Sequence, residues 1–155
     1  MIVSPQTQTE WNATMQFLNY FAGVQPSMDM KMLGWVESDD LKLVVGFNGF
    51  VGKVCQIHVA MKPDFRFTPR EMLKVAFRYA FVQAEREILL GVVNSNNKKA
   101  VKYDLHLGFR ELWRLPGMHD DGGDLVVLGM HKAECRYLNM IEPVNANGGI
   151  FVGRA

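Results

Sequence analysis

Apolar and polar positions follow two different periods along this 155-residue chain, and each change of period marks an element. Trp11, Met15, Leu18 and Ala22 recur at helical spacing. A helix starting at Glu10 is expected there, with Thr9 as its cap and Gly23 and Pro26 ending it. Met32 to Val36 and Leu41 to Phe47 read as strands joined by the polar turn Glu37-Ser38-Asp39-Asp40. Asn48-Gly49 suits the positive φ angles of a two-residue hairpin turn, which places the next strand at roughly Phe50 to Met61. On that strand Ile57, Val59 and Met61 share one face, and Gln56, His58 and Ala60 share the other.

Lys62-Pro63-Asp64 stops the strand. Thr68-Pro69-Arg70-Glu71 then reads as a capping box, with Thr68 as N-cap and Pro69 at the first helical position. Met72, Val75, Ala76, Tyr79 and Ala80 line one side of the helix, and Leu73, Phe77 and Phe81 line another, so burial on two sides is expected. Ile88 to Val93 is nearly all apolar, the pattern of an interior strand. Strand, helix, strand in this order implies a right-handed parallel crossover. A helix from Asn97 to Leu107 follows, stopped by Gly108. Arg110 to Leu115 and Asp124 to Met130 form a hairpin through Asp120-Asp121-Gly122-Gly123. The tail from Pro143 is rich in glycine, and Ile150, Phe151 and Val152 could add a last strand. With no repeat or low-complexity stretch, residues 1–155 read as a single α/β (α+β layered) domain. Its sheet is expected to be mixed and mostly antiparallel, with one parallel crossover and flanking helices.

Composition removes several classes. A formal net charge of +1 disfavours a whole-surface nucleic-acid binder, which would be strongly basic. The apolar share of 48% excludes a disordered chain and supplies a core without staples. No apolar run approaches the ~18–20 residues of a membrane span, and the first residues lack the pattern of a signal peptide. Cys55 and Cys135 are too few and too distant for a disulfide framework or zinc knuckle, so they read as reduced thiols in a cytoplasmic protein. A strand-like tail and many methionines permit a homodimer.

Candidate chemistry is sparse. His58, with an ordinary pKa near ~6.5, suits proton removal near neutral pH; the plainer reading is a half-buried imidazole satisfied by a backbone carbonyl. Cys55 and His58 lie three residues apart on one strand, hence on opposite faces, which argues against a nucleophilic pair. His119, Asp120, Asp121 and Asp124 match no calcium loop and read as a solvated turn, so no metal is expected. Lys98, Lys99 and Lys102 could meet a phosphate or form a solvated helix face.

Asn97, Ala100 and the closing Leu107-Gly108-Phe109 resemble the GNAT family of N-acetyltransferases, which use acetyl-CoA. Ile57-His58-Val59-Ala60-Met61 with Lys62-Pro63 looks like that family's fourth strand, and Asp124 to Met130 like its seventh. The resemblance covers roughly residues 32 to 135. The short length and the run Met130-His131-Lys132-Ala133-Glu134-Cys135 are similar to GNAT-like proteins of tailed phages, which would place the protein in a host cytoplasm.

The resemblance implies that the fourth and fifth strands part, and that main-chain groups beside Val59, Ala60 and Met61 pair with the pantetheine arm of acetyl-CoA. It implies a phosphate site at Arg66, Phe67, Thr68 and Arg70, helped by Asn97 and Lys99. Here the chain departs from the family pattern: Pro69 and Glu71 replace two small residues. Pro69 has no N–H to offer an anion, and the Glu71 carboxylate opposes phosphate at the helix start. Arg66 and Arg70 could restore the attraction. His58 would be the base. The family's acid is often a tyrosine at the position of Asp104, whereas Tyr103 stands one residue earlier, about 100° round a helix. Asp104 could donate a proton only if burial raised its pKa. The implied function is acetyl transfer from acetyl-CoA to an amine, small molecule or protein. The alternative is a catalytically weak member of the fold that binds a partner, such as a host enzyme.

Overall fold

The computed structural model describes residues 1–139 and is built on a seven-stranded sheet of order β1-β2-β3-β4-β5-β7-β6. The strands are β1 (Ile2–Val3), β2 (Lys31–Glu37), β3 (Asp40–Val51), β4 (Val54–Met61), β5 (Ile88–Asn94), β6 (Arg110–Leu115) and β7 (Leu125–His131). The helices are α1 (Gln8–Ala22), α2 (Arg70–Arg78) and α3 (Lys98–Leu107). Only β4 and β5 pair in parallel; the other neighbours are antiparallel. The crossover, the interior position of β5 and the β6–β7 hairpin all match expectation.

Alternation along the strands splits the core into two layers. Leu33, Leu43, Val45, Phe47, Cys55 and Leu89 pack on one face with Met72, Val75, Ala76, Phe77, Ala80 and Phe81 of the α2 segment. Val44, Ala60 and Met32 pack on the other with Met15 and Leu18 of α1. The α2 segment is buried on two sides, as its two apolar stripes require. Its last turn widens into a π-helical turn, Tyr79–Gln83.

Several local expectations are corrected. The first helix starts at Gln8, because Thr7 and Glu10 form the capping box: Glu10 N donates to Thr7 Oγ1, and Thr7 N donates to Glu10 Oε2, both at 3.2 Å. Thr9 is too close to Glu10 to make that reciprocal pair. The short strand β1, unforeseen, pairs Ile2 with Trp35 and Val3 with Gly34. Asn48-Gly49 does not turn the chain. The strand runs on to Val51, and Gly52-Lys53 makes the turn. Gly49, at φ 62°, sits instead in a bulge where Gly49 and Phe50 oppose Cys55. At the start of α2 the capping box is absent: Pro69 is the N-cap residue, and no side chain caps the helix. The Thr68 hydroxyl goes elsewhere. The suggested strand at Ile150 to Val152 lies outside the described residues.

Close approach of α1 to the sheet depends on Gly46. A Cβ there would stand 2.6 Å from Leu18 Cδ2 and 3.2 Å from Met30 Sδ, and both side chains are buried. At Gly91 the same atom would meet only Asp104 Oδ2, at 3.8 Å. Gly46→Ala is therefore expected to lower unfolding free energy by about 1–3 kcal/mol, the usual cost of overpacking, and Gly91→Ala by clearly less. Urea unfolding of both variants checks the contrast.

Candidate functional site

The site forms where the sheet opens. β4 and β5 pair only at Val54–Ile88, Cys55–Leu89 and Gln56–Leu90. Beyond Gln56, β4 stays with β3 as far as the Met61–Leu43 pair. Lys62 N then donates to Lys42 O at 3.0 Å, and the Lys62 ammonium pairs with Asp40 at 2.6 Å. β5 follows β7 instead, from Gly91–Leu128 to Asn94–Leu125. Each strand keeps its outer partner, and a gap opens between Ile57–Met61 and Gly91–Asn94. Ile57, Val59 and Met61 are only half-buried, whereas Leu43, Val45 and Phe47 on the neighbouring strand are sealed. The parting that the resemblance implied is present.

On the α1 face, His58 lies opposite Gly46 and is half-buried. Its Nε2 is 2.7 Å from Asn48 Oδ1. Asn48 Nδ2 donates to Ser27 Oγ at 3.1 Å, and Ser27 Oγ donates to Asp29 Oδ1 at 2.9 Å. Phe50 N donates to Asp29 Oδ2 at 3.0 Å. The donors run in one direction, which assigns the neutral imidazole its proton on Nε2 and leaves the Nδ1 lone pair open. Burial lowers the pKa of His58, so the imidazole is neutral at pH 7. The Phe50 amide, followed by the Ser27 hydroxyl, holds Asp29 below the usual carboxylate range. Asn48 thus stays in a strand and fixes the histidine rather than turning the chain. Sequence reasoning missed Asn48, Ser27 and Asp29, because an Asn-Gly pair imitates a hairpin and a loop Ser-x-Asp carries no distinctive signal.

On the other face, Thr68 Oγ1 hydrogen-bonds the Tyr103 hydroxyl and lies 3.7 Å from Met61 Sδ. Tyr103 therefore reaches from α3 to the segment that follows β4. Burial, only partly offset by the bond to Thr68, pushes its phenol up to about 12. Asp104 faces β5 at Gly91, the residue immediately past the last β4–β5 pair. Its carboxyl has no hydrogen-bond or ion-pair partner among the described residues. Burial raises its pKa from 3.8 to about 6. The condition that the sequence set for Asp104 is met.

Arg66 and Phe67 are exposed, Thr68 is half-buried and Arg70 is exposed, all in the segment leading into α2. Val59 and Met61 line the β4 side of the gap. Asn97 Oδ1 is occupied in capping α3 through Ala100 N at 3.2 Å, and Lys98, Lys99 and Lys102 are exposed. Cys55 lies on the α2 face, away from His58, and burial pushes its thiol up to about 11, which leaves it unreactive. Asp121 accepts from Asn94 and Asn96, and Asp124 pairs with Arg114, so the β6–β7 turn is tied down by side chains. Among the described residues no three His, Cys, Asp or Glu side chains are grouped to hold a metal ion, and no helix is long and apolar enough to cross a membrane.

The sequence matches no protein-family model, and no curated protein matches it significantly. Solved structures match it closely in shape. A chimera of the Vibrio cholerae spermidine N-acetyltransferase SpeG and hSSAT superposes with a TM-score of 0.71 at 12% identity, over 90% of this chain and 99% of that one. The Vibrio cholerae enzyme in complex with CoA and spermine gives 0.68 at 14% identity, over 90% and 98%. A dodecameric structure of the same acetyltransferase gives 0.69 at 12% identity, over 90% and 96%. The fold of this chain is the GNAT fold, with its parted parallel pair. At such identities the likeness extends to the fold.

Half-buried Asp104, unpaired among the described residues, has a consequence for stability. Its folded pKa of about 6 exceeds the ordinary 3.8, so between those values the fold holds more protons than the unfolded chain, and stability falls as pH rises through the window. Asp104→Asn should stabilise the protein by on the order of 2 kcal/mol at pH 8, with the gain vanishing near pH 4. Urea unfolding at the two pH values checks both size and sign.

Proposed function

We propose that the chain is an acetyl-CoA-dependent N-acetyltransferase that works by direct attack in a ternary complex. The observation that carries this reading is the parting of β4 and β5 after Gln56. A pantetheine arm extended along Val59, Ala60 and Met61 would supply the strand partner that β5 withdraws. Its thioester would then lie between His58 and the α3 residues Tyr103 and Asp104. Arg66 and Arg70, with Thr68 and Phe67 beside them, would meet the pyrophosphate at the uncapped start of α2. Asn97 and Lys99 would flank the nucleotide. The CoA bound in one of the structural neighbours supports the choice of cofactor.

In the step itself, the amine nitrogen attacks the thioester carbonyl and forms the C–N bond. His58 Nδ1 takes the amine proton, and the chain through Asn48 to the Asp29 carboxylate favours the resulting imidazolium. Main-chain N–H groups left free by the gap are the natural donors to the tetrahedral oxyanion. As the C–S bond breaks, the thiolate of CoA gains a proton. Asp104 is the group able to release one near neutral pH, and Tyr103, which stays protonated, donates a hydrogen bond. The products are an acetamide and CoA.

The other reading, a silent module that binds a host enzyme, draws no support from the neighbours, which are acetyltransferases acting on a small amine. A phage origin rests on the sequence resemblance alone. Self-association belongs to the proposal, and one neighbour is dodecameric.

Calorimetric titration with acetyl-CoA, followed by thiol release over an amine panel, tests the reading. Binding with 1:1 stoichiometry is expected, weakened by Arg66→Ala. His58→Ala should lower kcat by about 10²-fold, the usual contribution of a positioned base, with little change in KM for acetyl-CoA. An absence of binding at millimolar acetyl-CoA would exclude the enzyme.

A further inference from the structure

The start of α1 and the loop that follows it enclose an open cleft of about 460 Å³, lined by Gln8, Trp11, Pro26, Ser27 and Met28. That volume lies within the ~300–1,000 Å³ of small-molecule sites. The cleft is joined to the candidate base. Ser27 is in its wall, and the Ser27 hydroxyl accepts from Asn48, which in turn holds His58. Two hydrogen bonds separate the wall from the imidazole.

The lining also restricts what can occupy the cleft. An indole, a proline ring and the fully exposed thioether of Met28 offer apolar area, and Gln8 and Ser27 are neutral. Among the described residues no lining side chain is charged. Among the described residues one ionised carboxylate is bonded to the wall: Asp29, through the Ser27 hydroxyl. Glu10, on the same helix as Trp11, is occupied by the backbone N–H groups of Gln6 and Thr7. A polyamine brings a cation every few bonds, and each needs its own carboxylate or carbonyl partners when it leaves water. This wall provides for one cation.

We infer that the cleft is the acceptor site and that the acceptor is a monoamine on a flat apolar body, an arylalkylamine in class, with the body against Trp11 and Pro26 and the amine toward Ser27. The inference rests on the acetyltransferase reading and narrows its substrate. It sets this chain apart from its structural neighbours, whose names give spermidine or spermine as the amine.

The test is calorimetric titration of phenethylamine and of spermidine into the full chain saturated with CoA. Phenethylamine should bind at least tenfold more tightly than spermidine. Met28→Lys, at an exposed position that the fold does not need, should weaken phenethylamine at least tenfold and leave CoA affinity unchanged. Trp11→Ala should weaken it similarly, and Val51→Ala, at an exposed position beside the β3–β4 turn, should not. Tighter binding of spermidine, or phenethylamine binding indifferent to Met28→Lys, overturns the inference. A chain that binds CoA and releases thiol only with polyamines keeps the acetyltransferase reading and loses this acceptor. A chain that binds phenethylamine through Met28 and Trp11 but takes no CoA keeps the cleft and loses that reading.

Discussion

Backbone hydrogen bonding decides this structure at one place. β4 and β5 share three pairs and then choose different partners. β3 holds β4 through Met61, and the Lys62–Asp40 ion pair extends that hold past the strand end. β7 holds β5 to Asn94, and the side chains of Asn94 and Asn96 tie that end to the β6–β7 turn. The two half-sheets are each anchored on the outside and cannot both close the middle. Peptide groups on the inner edges are left without strand partners, a state costly to keep buried and dry. A chain that accepts that cost presents main-chain donors and acceptors ready for an extended ligand.

The side chains around the gap follow the same logic. A half-buried imidazole, held neutral and oriented through Asn48, stands on one face. A carboxyl with no cation partner among the described residues stands on the other, beside Gly91. Neither arrangement is what stability alone would select, since isosteric neutral residues would fit with less desolvation. In both groups burial acts against the charged form, lowering the imidazole and raising the carboxyl. Pro69, as the N-cap residue of α2, leaves the start of that helix without a side-chain cap, and Arg66 and Arg70 stand on either side of it.

Much of the architecture was legible from periodicity. The two stripes of the α2 segment, the apolar run of β5 and the helix closing at Gly108 are strong local signals that packing reinforces. Two of the failures, at Asn48 and Thr68, have a common cause: a side chain with a tertiary partner stronger than its local one. Asn48 forgoes the hairpin turn because His58 and Ser27 claim its amide. Thr68 forgoes the cap because Tyr103 claims its hydroxyl. β1 was invisible because two residues carry no period. The gap could be reached only through family resemblance, since main-chain groups leave no mark in a sequence. Asp104 could be identified by its position, but its protonation depends on burial that spacing cannot supply.

Hydrogen exchange on the segments Ile57–Met61 and Gly91–Asn94, with and without saturating CoA, reads the central claim most directly. The account predicts incomplete protection of both segments in the free protein, a clear slowing of exchange in Ile57–Met61 when CoA binds, and little change in the flanking pairs Val54–Gln56 and Ile88–Leu90. Full protection of Ile57–Met61 without ligand, or no slowing when CoA is bound, would contradict it.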